Sequence, residues 1–382
     1  MSVEANPMTR RKILIVVNYF DPYVSGVSEY ARATAKALAK SHDVTVLTGK
    51  HIPELPDQEQ QDGYTLLRAK ALFFLDKGYI SPDFVRLFKT HANQSDVINL
   101  HLPMLESGLL SILTTRPLLV TYQCDMAIVG SIIGRVAVMA VRLSMRLALS
   151  RARVIVVLNK EYAESSSLLR QHPNKIREIA PPNRFNDEEL GTFKLSENGN
   201  MICGFVGRFV REKGIETIVE AARILSNKPF EFWLAGNYKD VAGGSVFKQL
   251  EGDITALGGK VRLLGSLSNA DLIDFYRSID VLMLPSTNRF EAFGMVQMEA
   301  MTFGATVVTS DMPGVRVTVR KTKIGQLCVP GSGPSLVAAL ERAQTERIKV
   351  DRLFVRAAVL REFSNDKFVD DYLGVVNQIC SA

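Results

Sequence analysis

The chain has 382 residues, 47% of them hydrophobic and 23% charged, with 26 Gly and 15 Pro; this is room for two domains with their own cores and excludes disordered, collagenous and low-complexity classes. Net charge is +6, and its place says more than its size: residues 1–126 carry 13 basic and 13 acidic side chains, 127–184 carry 10 and 3, and 185–382 carry 23 and 24. The surplus sits in one short apolar segment that lacks any nucleic-acid-binding motif, which argues for an anionic membrane surface as partner and against DNA or RNA. Cys124, Cys203, Cys328 and Cys380 lie far apart and without C-x2-C spacing, so they read as thiols of a reducing compartment rather than as a zinc site or disulfide framework.

Met1 to Lys12 is polar and lacks a signal-peptide apolar region. The apolar runs that follow alternate with helix-length amphipathic segments, the βαβ signature of parallel sheets covered on both faces. Lys12–Val17 reads as a strand, Gly26–Lys40 as a helix (Val27, Tyr30, Ala31, Ala37 and Leu38 share a face) and Asp43–Leu47 as a strand. Strands follow at Asp96–Leu100, Leu118–Tyr122 and Val154–Leu158, with helices at Ile128–Ser150 and Lys160–Arg170. The most membrane-like stretch, Ala127 to Leu149, carries Arg135, Arg142 and Arg146. Each would cost about 2.5 kcal/mol at a bilayer centre, so a spanning helix is not expected. The expected location is the cytoplasm, either free or attached peripherally to the inner face of the membrane.

Ala180–Asn198, with Pro181, Pro182, Asn183, Asn186 and Gly191, breaks the alternation and reads as an interdomain linker. The pattern then restarts: strands at Met201–Val206, Phe230–Ala235, Val261–Leu264, Val281–Leu284 and Thr306–Thr309, and helices at Lys213–Ser226, Ser268–Ser278 and Phe293–Phe303, with only helices from 334 to 382. The predicted fold class is α/β, with two doubly wound domains that bind ligands beyond the carboxyl ends of their strands.

Two clusters carry chemistry. Glu291-Ala-Phe-Gly-Met-Val-Gln-Met-Glu299 lies between a strand and a helix. Gly294 allows close backbone approach, and the N–H groups of Gly294, Met295 and Val296 suit an anion. Two carboxylates beside an anion site make sense when each takes hydroxyl groups on either side of it, which is the polarity of a nucleotide-sugar. Gly207-Arg208-Phe-Val-Arg211-Glu-Lys213-Gly214 also lies between a strand and a helix. Arg208 can fork onto two phosphate oxygens and Lys213 adds a point charge, a clamp for a leaving diphosphate. The run is no P-loop, and no strand opens into G-x-G-x-x-G.

Together these clusters resemble the retaining glycosyltransferases of family 4, which have the GT-B fold of two Rossmann-like domains facing a central cleft. The E-x7-E pair Glu291/Glu299, the G-R-x4-K-G run at 207–214, the first loop Pro22-Tyr-Val-Ser25-Gly26-Val27, Asn99-Leu-His101-Leu-Pro103, Thr121-Tyr-Gln123-Cys-Asp125 and the segment Gly325 to Gly333 carry the resemblance. It implies an acceptor-binding domain at 1–184, a nucleotide-sugar-binding domain at 185–363, and a helix at 364–382 that crosses back to the first domain. It further implies that Arg208 and Lys213 hold the donor diphosphate, with Glu299 on the ribose. Glu291 and Phe293, Gly294, Met295 and Val296 would take donor sugar and phosphate, and the backbone near Gly265–Leu267 the base. His101 and Asp125 fall where the acceptor would bind, and Gln123 where a family histidine touches the donor sugar.

The first loop departs from the family's Gly-Gly, with Ser25 before Gly26, each expected to offer an N–H to the diphosphate. At Gln123 an amide replaces the histidine and excludes proton transfer there. The expected reaction is metal-independent and needs no cofactor: a sugar passes with retention from a UDP- or GDP-linked donor to a lipid-linked or glycan acceptor in bacterial cell-surface synthesis. The alternative is a nucleotide-sugar-binding member with little transferase activity; an epimerase or phosphorylase of the same fold finds no positive support in the residues.

Overall fold

The computed structural model describes residues 10–75, 78–126, 132–192, 199–239, 244–347 and 351–381. It divides into unit 1, residues 1–182 with 366–382, and unit 2, residues 183–365. Both are built on Val-, Ile- and Leu-rich runs that stay dry on two faces, as strands of a covered parallel sheet must.

In unit 1 the strands are β1 (Lys12–Val16), β2 (Asp43–Lys50), β3 (Gln58–Gln61), β4 (Tyr64–Lys70), β5 (Phe73–Leu75), β6 (Gly78–Ile80), β7 (Val97–Leu102), β8 (Leu118–Tyr122), β9 (Val154–Val157) and β10 (Ile176–Glu178). The main sheet runs β10-β9-β8-β7-β1-β2-β4-β3, parallel except for β3 at the edge, while β5 and β6 form a separate antiparallel pair. The helices are α1 (Gly26–Ala39), α2 (Pro82–Ala92), α3 (Ser107–Ile112), α4 (Ile132–Arg151) and α5 (Lys160–Ser165). Strand order reverses at β1, which pairs with β2 on one side and β7 on the other. Crevices form at such a reversal because the connections leave in opposite directions.

Unit 2 holds β11 (Met201–Val206), α6 (Ile215–Ile224), β12 (Phe230–Ala235), α7 (Phe247–Ala256), β13 (Val261–Gly265), α8 (Asn269–Ser278), β14 (Val281–Leu284), α9 (Val296–Thr302), β15 (Thr306–Ser310), α10 (Val317–Thr322), β16 (Gln326–Cys328), α11 (Gly333–Arg347) and α12 (Arg352–Glu362). Its all-parallel sheet, β13-β12-β11-β14-β15-β16, reverses between β11 and β14. A core of Phe205, Phe209, Phe230 and Phe232, with the apolar faces of α6 and α11, packs against it.

The last helix, α13 (Asn365–Ser381), returns to unit 1 from Asp366 on. Phe368 and Tyr372 pack against the buried ring of Tyr30, at 5.5 and 6.2 Å between centroids. Arg153 donates to the Ile379 carbonyl at 3.1 Å.

Three expected helices differ in extent. Phe293–Phe303 is helical only over Val296–Thr302, because Gly294 takes φ +79° and closes a turn before it. Lys213–Ser226 splits into a 3-10 turn at Arg211–Lys213 and then α6, with Gly214 at φ +74° between them. Lys160–Arg170 becomes α5 and a separate 3-10 turn at Leu169–Gln171. Residues 128–131 of the helix expected at Ile128–Ser150, and 193–198 of the expected linker, lie outside the described residues.

Candidate active site

Because β11 and β14 are sheet neighbours, paired at Cys203↔Val281 and Gly204↔Leu282, the loops that leave their carboxyl ends converge. These loops are 207–214 and 285–296, so the topology brings both sequence clusters of unit 2 to one switch point. They are stitched together: Thr287 N–H donates to the Glu212 carbonyl at 2.9 Å and its hydroxyl to the Arg211 carbonyl at 3.1 Å. A Cβ on Gly214 would stand 2.0 Å from the Pro285 carbonyl oxygen, so only glycine permits this approach.

Lys213 and Glu291, 78 positions apart, form an ion pair through Nζ and Oε2, with side chains 20% and 16% exposed. Partial burial lowers the dielectric around the pair and strengthens it over a surface pair. Arg208, in the same loop as Lys213, has a half-exposed side chain 3.7 Å from Glu212, a weak surface contact. A Cβ on Gly294 would strike Leu284 at 2.3 Å, so this turn too depends on glycine. Phe293 is buried, and Met295 and Val296 are half-buried at the start of α9.

Glu299 has a more confined setting than its expected ribose contact implies. Arg184 grips it with Nε at 3.0 Å from Oε1 and Nη2 at 3.3 Å from Oε2. The Tyr276 hydroxyl donates to Oε2 at 2.6 Å. Burial and the neighbouring Glu299 charge push the Tyr276 phenol well above its usual range, so it remains a donor. Each carboxylate oxygen offers two lone pairs, so beyond these three contacts one position remains, on Oε1. Arg184 was not foreseen: it lies in the expected linker, and only the fold brings it to Glu299. Gly265 ends β13 at φ +69°, with Leu267 half-buried just after it. β13 is two strands from β11, about 10 Å along the same sheet edge at ordinary strand spacing.

In unit 1 the first loop departs from expectation. Ser25 caps α1: its Oγ accepts from the Ser28 N–H at 3.2 Å, and its own N–H donates to Ser28 Oγ at 2.8 Å. That N–H, expected to face a diphosphate, is occupied by the capping box. Gly26 is the first residue of α1. Gln123 is buried and its Nε2 donates to the Val27 carbonyl at 3.2 Å, so it ties the end of β8 to this loop. The same Nε2 lies 3.0 Å from His101 Nδ1, and His101 Nε2 lies 3.1 Å from Asn99 Nδ2.

His101, expected to meet the acceptor, has no exposed surface. Burial pushes its pKa down to about 3. Below the ordinary value of 6.5 the unfolded chain takes a proton that the folded ring refuses until about 3. This group's contribution to stability is therefore complete above pH 6.5 and lost as the pH falls. A His101→Gln chain is expected to show a flatter fall in denaturant midpoint than the wild type between pH 6.5 and 3, and parallel curves would contradict that. Asp125 is likewise engaged, accepting from Tyr122 and, at 3.1 Å, from Ser166, while its N–H donates to Tyr162 at 2.7 Å.

Sequence reasoning missed an aromatic cluster beyond β1 and β2. Tyr19 lies 5.0 Å from Tyr23 and 5.7 Å from Tyr79, and Tyr23 lies 5.7 Å from His51. Tyr23 keeps 41% of its surface exposed, an amphipathic ring face of the kind that meets sugar rings. Two tyrosines in the loop after a strand were the visible signal. Among the described residues no group of His, Cys, Asp or Glu could hold a metal ion, and no helix is long and apolar enough to cross a membrane.

Two Rossmann-like units, each with its polar residues at the carboxyl ends around a strand-order reversal, define the GT-B class of glycosyltransferases. Residues 187–358 match the family described as glycosyl transferases group 1, and residues 25–182 match the glycosyl transferase 4-like domain. The chain belongs to the family 4 glycosyltransferases. It is 29% identical over 196 residues, 47% of this chain and 45% of that protein, to the D-inositol 3-phosphate glycosyltransferase of Corynebacterium urealyticum. It is 27% identical over 168 residues, 42% of each chain, to the capsular polysaccharide biosynthesis glycosyltransferase CapM of Staphylococcus aureus. The matched stretch spans less than half the length of these relatives. In fold it is similar to the Anabaena protein HepE, solved in complex with UDP-glucose, with a TM-score of 0.70 at 17% identity over 97% of this chain and 100% of that one.

Proposed function

We propose that the chain transfers a sugar, with retention at the anomeric carbon, from a UDP- or GDP-linked donor to a hydroxyl of a lipid-linked or glycan acceptor in bacterial cell-surface synthesis. The observation that carries this reading is the convergence of Arg208, the Lys213–Glu291 pair and the Gly294 turn at the switch point of unit 2. The bond from the anomeric carbon to the β-phosphate oxygen breaks, and negative charge grows on the diphosphate. Arg208 and Lys213 answer that charge where a divalent ion does so in metal-dependent transferases. The acceptor oxygen bonds to the anomeric carbon on the face the phosphate leaves, and its proton passes to the departing phosphate oxygen. Glu291 holds Lys213 in place and accepts from a donor-sugar hydroxyl, while Glu299 takes a ribose hydroxyl on the one Oε1 lone pair that Arg184 leaves. Phe293, Met295 and Val296 line the phosphate turn, and the backbone at Gly265–Leu267 receives the base. The UDP-glucose bound by the Anabaena protein supports the donor chemistry, and the capsular polysaccharide named for the Staphylococcus aureus relative supports a glycan acceptor.

One observation favours a second reading, a nucleotide-sugar binder with little turnover: Ser25 N–H and Gln123 Nε2, both expected on the donor, are engaged within the protein. Thermal melts with UDP, GDP, ADP and their sugars test the donor site. A nucleotide at a hundred times its Kd is expected to stabilise the fold by about 2.7 kcal/mol. Absence of a shift with every nucleotide would overturn both readings; a shift without donor hydrolysis or transfer would select the second.

A further inference from the structure

We propose that α3 and α4 form a docking face of unit 1 for an anionic phospholipid bilayer. The proposal stands apart from the donor site. α4 buries Val141, Met145 and Leu149. At 100° per residue, the side turned directly away from them is the row Val136, Met139, Leu143 and Leu147. A helix that merely covers a core presents polar side chains there. Here the row is apolar, with Met139 67% and Leu143 68% exposed. Single exposed apolar residues are ordinary, but a continuous row of them marks an interaction surface.

The neighbouring helix widens the surface. α3 lies tight on α4, since a Cβ on Gly108 would stand 2.8 Å from the Ser144 carbonyl oxygen, and Gly108 N–H donates to Ser144 Oγ at 2.8 Å. On α3, Leu109 and Ile112 are 50% and 55% exposed.

Charge selects the occupant. Arg135, Arg142 and Arg146 form a second row along α4, flanking the apolar one on the side opposite α3, and Arg135 and Arg146 are exposed. α4 contains no acidic residue. The segment that opens α3 holds one carboxyl, Glu106, whose pKa burial pushes up. An apolar strip beside a row of arginines matches an interface with acyl chains below and anionic headgroups beside them. Neither α3 nor α4 carries a carboxylate that could answer the arginine row of a second copy of this chain.

The test uses the full chain and sedimentation with vesicles of equimolar phosphatidylglycerol and phosphatidylcholine, against vesicles of phosphatidylcholine alone. The chain is expected to bind the anionic vesicles and to be released by salt. Replacing Arg135 and Arg146 together by glutamine is expected to weaken binding roughly thirtyfold. Replacing Met139 and Leu143 together by serine is expected to weaken it by roughly tenfold or more. All four side chains are exposed, so the fold does not depend on them. Equal binding to both vesicles at every salt concentration, or unchanged binding by both variants, would overturn the proposal. So would a dimeric wild type that the Met139/Leu143 variant converts to a monomer, since the face would then join two copies.

Discussion

An Arg208→Ala protein is expected to lose roughly a hundredfold to a thousandfold in turnover while keeping its melting temperature. The first half follows from position: Arg208 shares the 207–214 loop with Lys213 at the switch point, where a departing diphosphate would gather charge. Removing one preorganised donor from such a place costs about 3–4 kcal/mol of barrier. The second half follows from exposure, since a side chain 52% open to solvent contributes little to folding. Transfer rates at saturating donor, with thermal melts alongside, check both. Wild-type turnover would remove Arg208 from the mechanism. Lys213→Ala is a less clean probe, because it also strands the half-buried Glu291 without its cation.

A large stability effect is expected at Gly214. Alanine there must adopt φ +74° and place its Cβ 2.0 Å from the Pro285 carbonyl oxygen, which is backbone and cannot swing aside. Left-handed strain of about 1–2 kcal/mol and overpacking of about 1–3 add to roughly 2–5 kcal/mol. For a unit of this size that is a fall of roughly 5–15 °C in melting temperature. Gly258 is the internal control: its φ is +53°, but nothing lies within 4 Å of a Cβ, so alanine there meets only the strain term. Equal melting temperatures for the two variants would show that the loop after β11 can yield, contrary to the contact drawn from Gly214.

The parallel strands were legible because burial on both faces leaves an unbroken apolar run, as in Met201–Val206 and Val281–Leu284. Among the described residues the missed strands are β3 to β6, β10 and β16; all but Phe73–Leu75 lack such a run, and that one has only three residues. β3 is Gln-Glu-Gln-Gln on an edge, and β16 has three residues. Short α3 and α10 offer less than two turns of periodicity. At the site, residue types and their place after strands were readable, and the sheet order that joins them was implied by alternation. Which charges pair was not readable. Lys213 meeting Glu291, and Arg184 leaving the linker to grip Glu299, depend on loop geometry that glycines at 214 and 294 set. The capping role of Ser25 was available in principle, since Ser28 stands three residues on, the spacing of a capping box.

The return of α13 has a bearing on synthesis. Tyr30 and Arg153 belong to the first 182 residues, yet Phe368, Tyr372 and Ile379 that complete their surroundings are translated only after the whole of 183–365. The usual order, in which the earlier domain finishes first on the ribosome, is therefore reversed for the final closure of this chain. A gene fragment ending at Pro182 would encode a sheet with an aromatic seam open to water, whereas 183–365 carries its own strands and covering helices. A bisected version of this chain would have to supply 366–382 to the first half, as a fused tail or as a separate peptide.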